Sequence, residues 1–86
     1  MIEKINEQVS VITVYSREKA SVMPYRVRWN GKEYTMTKLG YTYKVKRGRY
    51  IHHIFSVSNN AIAFKLFFDT ETLHWWLQEV SDGLAN

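Results

Sequence analysis

The dipeptide Asn30-Gly31 limits this chain more than any other pair of its residues. Asn-Gly accepts positive φ at both positions and favours the tight turn whose twist matches two antiparallel strands. Set as a two-residue turn, it puts Arg28 opposite Glu33, Val27 opposite Tyr34 and Tyr25 opposite Met36. One side of the hairpin is then apolar (Tyr25, Val27, Trp29, Tyr34, Met36) and the other polar, as a true register requires.

The same period of two recurs along the chain, broken by turn residues, which is the pattern of short antiparallel strands. Residues 8–16 are rich in Val and β-branched side chains and read as a first strand, with a polar loop over 17–23. Taking Arg47-Gly48-Arg49 as a three-residue loop pairs Lys46 with Tyr50, Val45 with Ile51, Lys44 with His52 and Tyr43 with His53. A two-residue loop there would mix the two faces. Asn59-Asn60 suits another tight turn and sets Val57 against Ile62, Phe55 against Phe64, His53 against Leu66 and Ile51 against Phe68. The predicted core face is Tyr41, Tyr43, Val45, Ile51, Phe55, Val57, Ile62, Phe64, Leu66 and Phe68.

Residues 70–80 admit two readings. Leu73, Trp76, Leu77 and Val80 have helical spacing, with Thr70 as a cap and Gly83 as a stop, whereas Leu73, Trp75 and Leu77 alternate as in a strand. The strand is preferred, with a bulge before Val80. The expected fold is all-β: one antiparallel meander of about six strands, curled into a bent sheet or an SH3-like barrel. A flat sheet of that size would leave a face and two edges unprotected.

Eighty-six residues predict a single domain, 1–86. A chain this short buries only about 60–65% of its unfolded surface, so its six Tyr, four Phe and three Trp must supply much of the core. Cysteine is absent, which excludes disulfides and thiolate metal sites. The opening MIEKINEQ lacks the apolar stretch of a signal peptide, and no apolar run approaches the ~20 residues that cross a bilayer. The expectation is a cytoplasmic protein with no membrane contact.

The net charge of +4 is unevenly spread. No acidic residue lies between Glu33 and Asp69, while Lys38, Lys44, Lys46, Arg47, Arg49 and Lys65 do; after Asp69 the sign reverses. In the predicted pairing Lys44, His52 and Phe67 form one row on the outward face, flanked by Lys46 and Tyr50 at one end and Thr42, Ile54 and Lys65 at the other. Cations interleaved with flat rings suit single-stranded DNA or RNA. The cations neutralise phosphates and the rings stack bases. The candidate binding residues are therefore Lys44, Lys46, Arg47, Arg49, Tyr50, His52, Lys65 and Phe67. The competing reading makes the lysines solvated faces or guarded edges. It leaves a protein-interaction module using Ile54, Phe67 and the exposed parts of Trp75 and Trp76.

Catalytic signatures are missing. His52 and His53 are neighbours in a strand, so their rings leave opposite faces and cannot share a metal. His74 stands alone beside two tryptophans, and no His/Asp/Glu set has zinc spacing. Asp69, Glu71, Glu79 and Asp82 form no pair committed to acid–base work, and the four glycines build no phosphate loop. The residues imply no enzyme, no metal and no cofactor. The crowded aromatic core leaves little volume for a small-molecule cavity.

Three motifs carry a resemblance over most of the chain. They are P-x-x-V-x-W-N-G-K-x-Y from Pro24 to Tyr34, F-x-L-x-x-D from Phe64 to Asp69, and W-x-L-x-x-V-x-D from Trp75 to Asp82. The chain resembles a group of small bacterial domains with a P-x-x-F-x-W-x-G-[KR]-x-Y start and a W-x-L end, for which no activity is assigned. It departs where those domains carry a tryptophan after the hairpin; Tyr41 or Tyr43 stands there instead. The resemblance implies a terminal strand. Through the association of some members with genes for error-prone DNA polymerases, it also implies DNA transactions.

Overall fold

A computed structural model describes residues 2–82. It holds seven strands and no helix: β1 (Ile2–Ser16), β2 (Ser21–Trp29), β3 (Lys32–Thr35), β4 (Lys38–Arg47), β5 (Tyr50–Ser58), β6 (Ile62–Asp69) and β7 (His74–Asp82). They form one antiparallel sheet in the order β3-β2-β1-β7-β6-β5-β4. Every neighbour is consecutive in the chain except β7 and β1, so first and last strands meet inside the sheet. The terminal segment is a strand, with Gln78 left over where the β6–β7 register shifts.

Two strands each serve both halves of the molecule. β1 pairs with β7 through residues 2–9 and with β2 through residues 10–16. Because every ladder is antiparallel, β3 and β4 run in the same direction, and only Met36 and Thr37 separate them. They amount to one strand bent at a corner. There the ladder changes hands in a single step: Met36 N–H donates to Tyr25 O at 2.7 Å, and Thr37 N–H to Ser58 O at 2.9 Å. Residues this close in sequence yet at opposite ends of the strand order force the sheet to curl. It does not close into a barrel, since β3 and β4 have no ladder between them. Counting β3 and β4 as one bent strand recovers the expected six, and of the two expected forms the sheet takes the bent one and not the SH3-like barrel.

Asn59 fixes that corner. Its side-chain Oδ1 accepts from Ala61 N–H at 2.8 Å and Ile62 N–H at 3.0 Å, while Nδ2 donates to Thr35 O at 2.8 Å. One side chain thus shapes the β5–β6 turn and ties it to the end of β3.

The hairpin at Asn30-Gly31 has the predicted register, with Val27 opposite Tyr34 and φ of 57° and 75° in the turn. Its apolar side lies against the larger half of the sheet. Phe64 inserts between Trp29 and Tyr34, with edge-on ring contacts of 6.1 and 5.2 Å. Val27, Met36, Phe55, Val57, Phe64, Leu66 and Leu77 form the buried centre. Trp29 Nε1 also donates to Glu7 Oε1 at 2.9 Å, joining the hairpin to β1. Tyr25 is turned outward, because it is the β2 residue skipped where the β1–β2 register shifts. β2 starts at Ser21, so the predicted loop over 17–23 shrinks to a turn at 17–20.

The β5–β6 turn is longer than predicted. Val57 faces Phe64, Phe55 faces Leu66 and His53 faces Phe68, a slip of two residues from the expected register. A slip of two keeps every side chain on its face, so the predicted core residues of β5 and β6 stay together.

Candidate nucleic-acid interface

The β4–β5 hairpin decides where the cations go. It turns over two residues, Gly48 and Arg49, with Arg47 opposite Tyr50, Lys46 opposite Ile51, Val45 opposite His52 and Lys44 opposite His53. Gly48 has φ 60° and Arg49 does not have positive φ, the pattern of a turn with glycine first. The expected three-residue loop is therefore corrected by one residue, and a slip of one exchanges the faces. At this end of the sheet neither face is packed; Lys46, Tyr50 and Ile51 are all exposed. Burial does not specify the register here, so turn geometry does. Farther along, Gly40 and Tyr41 bulge opposite Ser56, which returns Leu39 to the core face against Val57. Gly40 permits that approach, as a Cβ on it would lie 3.1 Å from Ser56 Oγ.

The predicted binding set is divided between two faces. Tyr50, His52, Lys65, Phe67 and Arg47 share the outer face, with Arg49 in the turn and its guanidinium 5.6 Å from the Tyr50 ring centre. Lys44 and Lys46 lie on the inner face, opposite His53 and Ile51. The row Lys44–His52–Phe67 does not form. His52 and Phe67 do meet, ring centres 4.6 Å apart. Tyr43 and Val45 move from the predicted core face to the outer one, and Tyr41 stacks on Tyr43 at 5.7 Å. Ile54 lies between its cross-strand partners Tyr43 and Phe67 and is buried.

The outer face is mixed in charge. Lys65 Nζ lies 4.0 Å from Glu79, and His52 Nε2 lies 3.7 Å from Asp69. Asp69 also caps the turn after β6, accepting from Glu71 N–H at 2.9 Å and Thr72 N–H at 3.4 Å. The Glu71 hydrogen bond, foremost, holds the Asp69 carboxyl below its ordinary value, against a smaller opposing effect of burial. The other ring nitrogen of His52, Nδ1, is buried without a hydrogen-bond partner.

The inner face offers something the sequence reading did not find. Across β4, β5, β6 and β7 runs a row of Lys44, His53, Phe68 and Trp75. Phe68 and Trp75 rings are 4.6 Å apart, Phe55 and Trp75 5.5 Å, and His53 stacks on Phe55 at 6.3 Å. These rings line one wall of an open cleft of about 450 Å³ whose other wall is Val11, Thr13, Ser21 and Val22. The cleft exists because the sheet curls without closing: β4 and the start of β2 stand on either side of the opening. Neither Lys44 nor Lys46 meets a carboxylate among the described residues. The signal for this cleft was present in Gly48-Arg49, a glycine-first turn sequence that brings Lys44 opposite His53.

No group of three metal-ligating side chains occurs among the described residues, and no helix is long and apolar enough to cross a membrane. No protein-family model matches the chain, and neither a curated protein nor a solved structure does.

Proposed function

We propose that the protein is a non-enzymatic, cytoplasmic binding module that takes single-stranded nucleic acid with low sequence specificity, in the cleft on its inner face. The observation that carries this reading is the row Lys44–His53–Phe68–Trp75, a cation at the sheet edge leading to three rings. Phosphates lie along the β4 edge near Lys44 and Lys46, and bases turn inward to stack, each ring contact contributing roughly 1–3 kcal/mol. Arg47 and Arg49 at the hairpin tip extend the path. Duplex DNA is the poorer ligand, because its bases are paired and not free to enter. Among the described residues lining the cleft the one titratable side chain is His53, which supports binding rather than acid–base chemistry.

The test is fluorescence anisotropy with labelled single-stranded DNA and RNA across a salt series. With four cations engaged, the logarithm of affinity should fall with a slope of about 3 against log salt. Absence of binding at the lowest salt removes the proposal. Binding indifferent to salt points instead to an apolar partner on the outer row Tyr43, Phe67 and Trp76, with Ile54 buried between Tyr43 and Phe67.

A further inference from the structure

We propose that residues 10–16 of β1 form the interface of a symmetric dimer, two copies of this chain pairing edge to edge about Thr13. β1 pairs with β7 only through residues 2–9 and with β2 only through residues 10–16. Each half therefore keeps one edge with no strand beside it among the described residues. Such an edge is a template for another chain unless something guards it.

The other edges are guarded. The open edge of residues 2–8 carries Glu3, Lys4 and Glu7 and a register shift at which Asn6 takes φ 55°. β4 carries Lys38, Lys44, Lys46 and Arg47, no acid, and the bulge at Gly40 and Tyr41. β3 has four residues, and the stretch of β2 that it leaves open, residues 21–24, holds a proline and ends at the skipped Tyr25. Residues 10–16 read Ser-Val-Ile-Thr-Val-Tyr-Ser, without charge, proline or glycine. The register shift opposite them falls on Tyr25 of β2, so β1 itself runs unbroken. Ile12, Val14 and Tyr15 are 56%, 48% and 67% exposed. Among the described residues, this straight, uncharged edge with large apolar side chains in water is the one that calls for a partner strand.

The chemistry of the segment selects the occupant. Laid antiparallel on a second copy about Thr13, it sets Ser10 opposite Ser16, Val11 opposite Tyr15, Ile12 opposite Val14 and Thr13 opposite itself. Hydroxyl meets hydroxyl and apolar meets β-branched or aromatic, the favourable cross-strand pairs, with no like charges opposed. β4 paired with its own copy would oppose lysine to lysine. An acidic or basic peptide would find no counter-charge on residues 10–16. A two-fold contact also closes on itself rather than growing into a fibre. The β4 edge, with Lys44 and Lys46, lies at the far end of the strand order, but Val11 and Thr13 also stand in the cleft wall, so the dimer is tested by assembly alone, with no nucleic acid present.

Sedimentation equilibrium of the full chain over a concentration series tests the assembly. Wild type is expected to pass from monomer to dimer, and Ile12→Lys to weaken the dimer by about tenfold or more, by setting a charge opposite Val14 and bringing the two introduced lysines to diagonal positions on one face. Circular dichroism checks that Ile12→Lys remains folded. Because the chain has no cysteine, Thr13→Cys is a second, independent reporter. On oxidation it should form a disulfide-linked dimer about tenfold faster than Asn30→Cys at an exposed turn, since the dyad brings its thiols together. Three results would overturn the proposal: wild type monomeric at the highest concentration reached, Thr13→Cys linking no faster than Asn30→Cys, or Lys38→Cys on β4 linking faster than both.

Discussion

Lys44 stands opposite His53 across the β4–β5 ladder, on the face where Phe68 and Trp75 continue the row. The expected consequence is a difference between faces. Lys44→Glu with Lys46→Glu should lower affinity for single-stranded DNA by about tenfold or more, as two phosphate contacts become repulsive. Lys65→Glu, whose lysine already faces Glu79 on the outer face, should change it far less. Anisotropy titrations of both variants at one salt concentration make the comparison, and equal losses would place the ligand elsewhere.

His53→Ala removes one ring from the cleft wall; His53 lies outside the buried centre and touches it through its stacking on Phe55. Loss of one stacking platform should cost roughly 1–3 kcal/mol of binding. The melting temperature, measured alongside, should move little by comparison with Phe64→Ala. That substitution opens a cavity between Trp29 and Tyr34 and should cost about 3–5 kcal/mol of stability.

Asn59 carries three hydrogen bonds that join the β5–β6 turn to the corner after β3. Asn59→Ala leaves Thr35 O and two backbone N–H groups without it, and should destabilise the fold by about 2–4 kcal/mol in urea unfolding. Asn59→Asp keeps the oxygen acceptor and loses the donor to Thr35, so its loss should be smaller. Equal losses would mean that the Thr35 link alone matters.

Gly48 has open space around the position of a Cβ, but its φ of 60° is unfavourable for other residues. Gly48→Ala should cost about 1 kcal/mol. Gly48→Asn should cost less, since asparagine tolerates this backbone. Unfolding midpoints distinguish them; a neutral Gly48→Ala would mean that the hairpin re-forms with a different turn.

The acid limb of stability should depend on Asp69. Hydrogen bonds to its ionised form, chiefly from Glu71 N–H, depress its folded-state value. Its contribution is then fully present above the ordinary carboxylate value and is lost as pH falls through the depressed one. Asp69→Asn, which keeps an oxygen facing Glu71 but not the charge, should flatten that part of the profile, lying below wild type at neutral pH and meeting it in strong acid. Melting temperatures from neutral to strongly acidic pH provide the check.

What sequence alone determined was set by local chemistry agreeing with burial. Asn30-Gly31 dictates one turn geometry, and that register also buries Val27 and exposes Arg28, so nothing competes with it. β5 and β6 were legible as a core face because Phe55, Val57, Phe64 and Leu66 stay together even when the turn lengthens by two residues. Of the candidate site, His52 and Phe67 fell side by side as expected, whereas Lys44 and Lys46 did not join them.

Tertiary structure decided the rest, for a physical reason visible at each place. Residues 46–51 have no buried face to choose a register, so the two-residue turn at Gly48 did, and the lysines went with it. The corner at Met36 and Thr37 exists only because β2 and β5 compete for consecutive backbone groups. The cleft exists only because the resulting curl stops short of closure. Alternation in a sequence states which side chains share a face; how far a sheet bends, and which of its edges stay open, depends on partners distant in the chain.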